Sequence, residues 1–265
     1  MLTAKNVSKT YPDNTGAGMD LNAVSDVTVE IPDNSVTVIV GESGSGKSTL
    51  SRILSYIERP DIGRIFLDDT EITALRPSEL RKLRGKVQLV MQDAASSLDP
   101  HLTAEKILAE PLKLLLHLDA EQRKSRISEL LGVVQLPEDL LKHRVSELSG
   151  GQQKRLCIAR ALAAEPQHII FDESFSGLDV TLKKQVLTML KDLQKTLDIG
   201  MLIITHDLDT AMYMADRIYV MRLGRIIETI DHPHSFSDFK ERYSQELVKA
   251  ALYKRNAIQY TANGV

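Results

Sequence analysis

Val36-Thr-Val-Ile-Val40 runs straight into Gly41-Glu-Ser-Gly-Ser-Gly46-Lys47-Ser48, and the join between the two halves sets the fold class. The first half is a β-branched apolar run without alternation, the pattern of a strand buried on both faces of a parallel sheet. The second half fits G-x-x-x-x-G-K-[ST]. Lys47 to Ile57 (KSTLSRILSYI) then carries apolar residues near helical spacing, so the order is strand, glycine loop, helix. Glycines let the backbone turn tightly and aim its N–H groups at an anion, while the following helix adds unpaired N–H groups and the positive end of its dipole. A triphosphate is the expected guest, cradled by Gly41, Glu42, Ser43, Gly44, Ser45, Gly46, Lys47, Ser48 and Thr49. Lys47 would reach its β- and γ-phosphates as a point charge, and the Ser48 hydroxyl would help hold Mg²⁺.

Outward from this loop, similar apolar strands are expected at Val87–Met91, His168–Phe171 and Met201–Ile204, with helical patterns between several of them. Alternating β and α elements point to an open α/β sheet. In such sheets ligands lie beyond the carboxyl ends of the strands. Asp172 and Glu173, which end the run HIIFDE, are therefore expected on the rim that carries the phosphate loop. Asp172 would support Mg²⁺, and Glu173 would orient or deprotonate an attacking water. Between Thr103 and Ala164 the pattern turns mainly helical, with Leu112, Leu115 and Leu116 on one segment and Ile127, Leu130, Leu131 and Val134 on another. Ile218–Ile230 reads as two short strands around a turn at Leu223–Gly224, and Phe239–Tyr253 as a final amphipathic helix.

Composition narrows the classes. Of 265 residues, 43% are hydrophobic and 26% charged, close to soluble globular averages. The formal net charge of −3 gives no broad positive field, so nucleic acid is not an expected partner. Cys157 is the single cysteine, which excludes an intrachain disulfide and makes the cell interior the default compartment. No apolar run approaches the ~20 residues that span a bilayer, and the first residues lack a signal-peptide core. His232 and His234 form a Pro-interrupted pair without further ligands and read as surface loop.

A short segment, Leu148-Ser149-Gly150-Gly151-Gln152, opens a helix between the phosphate loop and the acidic strand. In that order it resembles the signature motif of ABC ATPases. The resemblance runs from Tyr11 to the hairpin ending near Ile230. It implies an α/β fold: a P-loop NTPase (RecA-like) core with a mostly parallel sheet, an N-terminal antiparallel β subdomain and an inserted helical subdomain. Core and β subdomain are expected over 1–92 and 165–235, the helical signature subdomain over 93–164 and a C-terminal helical tail over 236–265. The resemblance also gives roles: Tyr11 stacks on adenine, Gln92 senses Mg²⁺ and the transport partner, Asp179 in Ser176-Gly-Leu-Asp179 lies between paired subunits, and His206 is the switch histidine. Two subunits would face head to tail, each closing its signature residues over the ATP of the other.

More narrowly, Gln92-Asp-Ala-Ala-Ser-Ser-Leu-Asp-Pro100 and Ile107-Leu-Ala-Glu-Pro111 resemble the ATPases of peptide and nickel importers. That likeness implies a second ATPase subunit, identical or homologous, transmembrane permease subunits, a substrate-binding protein, and a cytoplasmic position against the inner face of the cell membrane. One departure is Ser174-Phe175 after the acidic pair, where serine and phenylalanine replace the usual proline and threonine; it is expected to tune contact with a partner. Two other uses of such a cassette compete. Nucleic-acid or ribosome remodelling would bring duplicated cassettes, long insertions or zinc modules, none of which is visible. A subunit of a soluble phosphonate-lyase-like complex would separate from transport by what it co-purifies with.

Overall fold

A computed structural model describes residues 1–12, 20–93 and 97–262, of which 254–262 are described as backbone alone. Residues 94–96 of the Gln92–Pro100 stretch therefore lie outside the described residues. The first half of the chain forms β1 (Leu2–Tyr11), β2 (Leu21–Ile31), β3 (Val36–Val40), α1 (Lys47–Leu54), β4 (Ile62–Leu67), β5 (Thr70–Glu71), α2 (Pro77–Leu83), β6 (Val87–Val90), α3 (Ala104–Leu114) and α4 (Ala120–Val133). The second half forms α5 (Gly150–Leu162), β7 (His168–Asp172), α6 (Val180–Leu197), β8 (Gly200–Thr205), α7 (Leu208–Met214), β9 (Arg217–Arg222), β10 (Arg225–Asp231) and α8 (Arg242–Ala262).

Two sheets result. One has four strands in the antiparallel order β2-β1-β4-β5. The other has six, in the order β10-β9-β3-β8-β7-β6, parallel except for the β9–β10 hairpin. β3 lies between β8 and β9, and all of its residues are buried. Val36, Val38 and Val40 face the larger core, and Ile39 faces the core shared with α1 and the antiparallel sheet. Burial on both faces is what a β-branched run without polar alternation can supply and an alternating strand cannot.

Register brings the strand ends level. Val40 pairs with Thr205, Ile204 with Asp172, and Phe171 with Val90. Gly41, His206 and Glu173, which follow directly, and Gln92, two residues past Val90, leave the sheet along one rim. The two sheets are joined near this rim through main-chain atoms: Ser25 N–H donates to the Gly224 carbonyl (2.8 Å), and Gly224 N–H to the Ser45 carbonyl (2.9 Å). Leu223 and Gly224, at φ 45° and 79°, make the tight turn that places this link.

The helices from α3 onward cover the larger core. Leu108 and Leu112 of α3, Leu130 and Leu131 of α4, and Leu156 and Ile158 of α5 pack there with Val186 and Leu190 of α6. The chain after β10 joins the same core, with Phe239 1% exposed and Tyr243 6%. Strand ends shift by a residue, and three helices depart from the sequence reading. α1 stops at Leu54, not Ile57, because Tyr56 takes φ 61°. α3 stops at Leu114, leaving Leu115 largely exposed and Leu116 only packed against the core, so of the three leucines Leu112 alone is buried in it. The last helix starts at Arg242, with Phe239 in the turn before it. Among the described residues no helix is long and apolar enough to cross a membrane.

Candidate functional site

The loop after β3 is shaped by its glycines. Gly44 and Gly46 have φ of 80° and 102°, conformations that L side chains rarely adopt. A Cβ at Gly46 would also lie 2.1 Å from the Ala23 carbonyl oxygen, and one at Gly41 2.2 Å from that of Met221. Side chains at either place would push the loop off its support. Lys47 is 5% exposed; its Nζ donates to the carbonyls of Gly41 (2.9 Å) and Glu42 (2.7 Å) and to Ser45 Oγ (3.3 Å). Burial pulls its ammonium below the usual lysine range, against the opposing pull of Glu173, Asp172 and Glu42. Thr49, on α1, accepts through Oγ1 from Arg52 (3.2 Å), and Arg52 donates to the Tyr11 hydroxyl (3.1 Å). Tyr11 in turn donates to Glu58 (2.7 Å). The aromatic at the end of β1 is thereby tied to the helix that carries the lysine.

Across the rim, Ser48 Oγ donates to Asp172 Oδ1 (3.1 Å) and Ser51 Oγ to Oδ2 (2.8 Å). A hydroxyl and a carboxylate this close form an all-oxygen donor set, which suits a hard cation such as Mg²⁺. Glu173 sits at φ 49°, a left-handed position uncommon for a residue with a Cβ. It is held there by its N–H, which donates to the Ile204 carbonyl of β8 (3.0 Å). His206 Nδ1 lies 2.8 Å from Glu173 Oε2. A carboxylate oxygen accepts, so this contact takes Nδ1 as its donor and orients the ring. Lys47, Ser48, Asp172, Glu173 and His206 are thus brought into one cluster from the start of α1 and the ends of β7 and β8.

Gln92 is exposed just beyond β6, and its backbone carbonyl accepts from Lys154 Nζ (3.2 Å). The signature residues are elsewhere, at the start of α5. Ser149 caps that helix by accepting from Gln152 N–H (3.3 Å), while Gln152 Oε1 accepts from Ser149 N–H (2.9 Å). Leu148 is buried beneath them. Gly150 has open space where a Cβ would stand, and a Cβ on Gly151 would meet Leu182 Cδ2 at 2.7 Å. Asp179 is exposed and caps α6, accepting from Leu182 N–H (2.9 Å). The start of α5 and the start of α6 are therefore neighbours.

Residues 24–176 match the family model described as ABC transporter. The chain is an ABC transporter ATPase. It is 39% identical over 95% of its length, and 72% of the relative's, to the "Probable peptide ABC transporter ATP-binding protein" of Sinorhizobium fredii. It is 37% identical to the nickel import ATP-binding protein NikE of Brucella suis, over 87% of each chain. Among solved structures, the post-hydrolysis dimer of the ATP-binding cassette MJ0796 bound to ADP and Pi superimposes with a TM-score of 0.76, at 30% identity over 89% of this chain and all of that one. The Clostridium perfringens cassette of the cbiONQ complex does so with 0.77, at 26% identity over 99% and 96%.

In this ABC ATPase several contacts around the cluster escape a motif reading. Ser51 stands three residues after Ser48, one helical turn on, and that spacing alone puts both hydroxyls on one face. Lys154 is 4% exposed, and burial lowers its affinity for the proton. Its reach to the carbonyls of Met91 and Gln92 ties α5 to the end of β6. Lys183 of α6 pairs with Asp207, beside His206; hydrogen bonds from Lys183 and Thr210 overcome the effect of burial and hold that carboxyl below its usual range. The Ser174–Phe175 departure is a correction. Ser174 is 0% exposed and donates to the Val90 carbonyl (2.6 Å), and Phe175 packs on Phe171 with ring centroids 5.4 Å apart. Both face the chain's own interior and have no surface to offer a partner.

Proposed function

We propose that this ATPase subunit binds Mg·ATP on the loop at 41–49, hydrolyses it with Glu173 orienting the water, and drives an importer of peptides, nickel or another metal complex from the inner face of the cell membrane. The convergence of Ser48, Asp172, Glu173 and His206 from separate strand ends carries this reading. Lys47 exchanges loop carbonyls for phosphate oxygens; its desolvated ammonium makes that exchange favourable. Ser48 and Asp172, with Gln92, would hold Mg²⁺, which neutralises charge on the phosphates when bound. Glu173 accepts the proton of the water, and His206, anchored by its hydrogen bond to Glu173, supports the γ-phosphate. Tyr11 stacks on the base.

ATP bound to one subunit would be closed over by Ser149, Gly151 and Gln152 of a second, identical or homologous, with Asp179 lying between them. Closing and opening of this pair would move the permease subunits through the helical region and the Gln92 segment, with a substrate-binding protein delivering cargo. The relatives named for peptide and nickel import support the cargo classes.

Glu173→Gln tests the chemistry. It is expected to keep Mg·ATP binding and to lose at least ~100-fold in phosphate release; near-normal turnover removes Glu173 from the mechanism. Reconstitution with the neighbouring permease genes, and uptake of labelled dipeptide against ⁶³Ni, tests the cargo. Recovery of the chain only in a soluble enzyme complex would overturn the transport role.

A further inference from the structure

The segment after β10 carries an unexplained contact with the nucleotide loop. Tyr243, in the first turn of α8, accepts at its hydroxyl a hydrogen bond from Glu42 N–H, with a long N···O distance of 3.3 Å. That N–H belongs to the peptide unit between Gly41 and Glu42. The carbonyl of the same unit, on Gly41, accepts from Lys47 Nζ at 2.9 Å. One peptide plane is therefore held at both ends, by the tyrosine on one side and the lysine on the other.

The tyrosine is itself fixed. The Arg222 guanidinium lies over its ring, 4.6 Å from the centroid. Phe239 before it and Ser244 after it are 1% and 0% exposed. Gly41 itself lacks the side chain that would restrict its side of this plane.

We infer that Tyr243 is a positioning residue for the phosphate loop, orienting the Gly41–Glu42 peptide so that Lys47 and the loop N–H groups are set for a triphosphate. The inference rests on the reading of Lys47 as the phosphate-binding lysine. It gives the C-terminal helix a share in nucleotide affinity without any contact to the nucleotide. Tyr243→Phe keeps the ring and its stacking cation and removes only the acceptor oxygen.

For the full chain, the Kd and KM for Mg·ATP are expected to rise about 2- to 12-fold, the equivalent of one hydrogen bond, with kcat changed by less than about 2-fold. The unfolding midpoint should fall by no more than about 5 °C, the cost of one hydrogen bond in a chain of this size. Unchanged Kd and KM in a folded variant overturn the inference, and so does a fall in kcat and midpoint together, which marks a purely structural tyrosine. Arg222→Gln loosens the ring while leaving the hydroxyl, and should raise KM by a smaller factor than Tyr243→Phe. If Tyr243→Phe does not fold, this second variant decides: an unchanged KM overturns the inference. Failure of the wild-type chain to retain Mg·ATP would instead bring down the ATP reading itself.

Discussion

At the carboxyl ends of β3, β7 and β8, polar side chains find partners on other elements: Ser48 on Asp172, His206 on Glu173, and the Glu173 N–H on the Ile204 carbonyl. At the start of α5 the partners come from the same turn, Ser149 and Gln152 satisfying each other. The first arrangement exists only if the whole sheet is in register. The second is local and exposed, so its N–H donors can pass from a side chain to an incoming anion at the cost of one capping box. A rim built for chemistry and a helix start built to be borrowed are different kinds of site, and the assembly proposed above needs one of each.

The largest effect should come from breaking the borrowed half alone. Gly151→Asp puts a carboxylate where phosphate would approach. It is expected to lower turnover of the assembled transporter at least ~100-fold while leaving nucleotide titration of the isolated chain unchanged. A loss of affinity in the lone chain would mean that α5 contributes to its own loop. The link between the halves comes next. Lys154→Met removes the donor to the Gln92 carbonyl and one of two to the Met91 carbonyl, which keeps the Ser174 hydroxyl, and should cost about 1–3 kcal/mol in urea unfolding, with turnover reduced as well.

A third measurement probes the opposite end of β7. Burial holds the His168 imidazole below the usual histidine range, although Asp33 lies 3.2 Å from Nε2 and pulls the other way. The folded state then binds this proton less readily than the unfolded chain, so stability falls as pH drops below the unfolded value of about 6.5, by no more than about 1.4 kcal/mol per unit, and is fully present above it. Urea midpoints at pH 7.5 and 5.5 should show that slope, and His168→Gln should lack this part of it. The smallest effect is expected at the junction of α5 and α6, where Asp179→Ala removes one helix cap, worth about 1 kcal/mol in unfolding.

Much of the fold was legible because it rests on periodicity. The apolar runs at 36–40 and 201–204, which lack polar alternation, suit strands buried on both faces of a parallel sheet, and the glycine loop then follows by adjacency. The acids at 172 and 173 were placed by the same logic, since a strand's end is visible in sequence. What stayed hidden depends on neighbours far along the chain. Ser174 was read as tuning a partner contact, and its partner, the Val90 carbonyl, comes instead from β6, paired beside β7. Nothing near Lys154 or Tyr243 announces a partner 62 or 201 residues away. Helix ends were misjudged where a single residue, Tyr56, adopts a left-handed turn that no pattern of apolar spacing encodes.

The tether running from Ser25 through Gly224 to Ser45 uses no side chains. Such a coupling is blind to most amino-acid exchanges. Paralogues can rewrite the outer face of the antiparallel sheet, and with it whatever that face meets, while the loop beneath keeps its alignment. An insertion in the hairpin, a proline at 25, or any side chain at 224, where φ is 79° and a Cβ would stand 3.1 Å from the Ala23 carbonyl oxygen, would cut the cord.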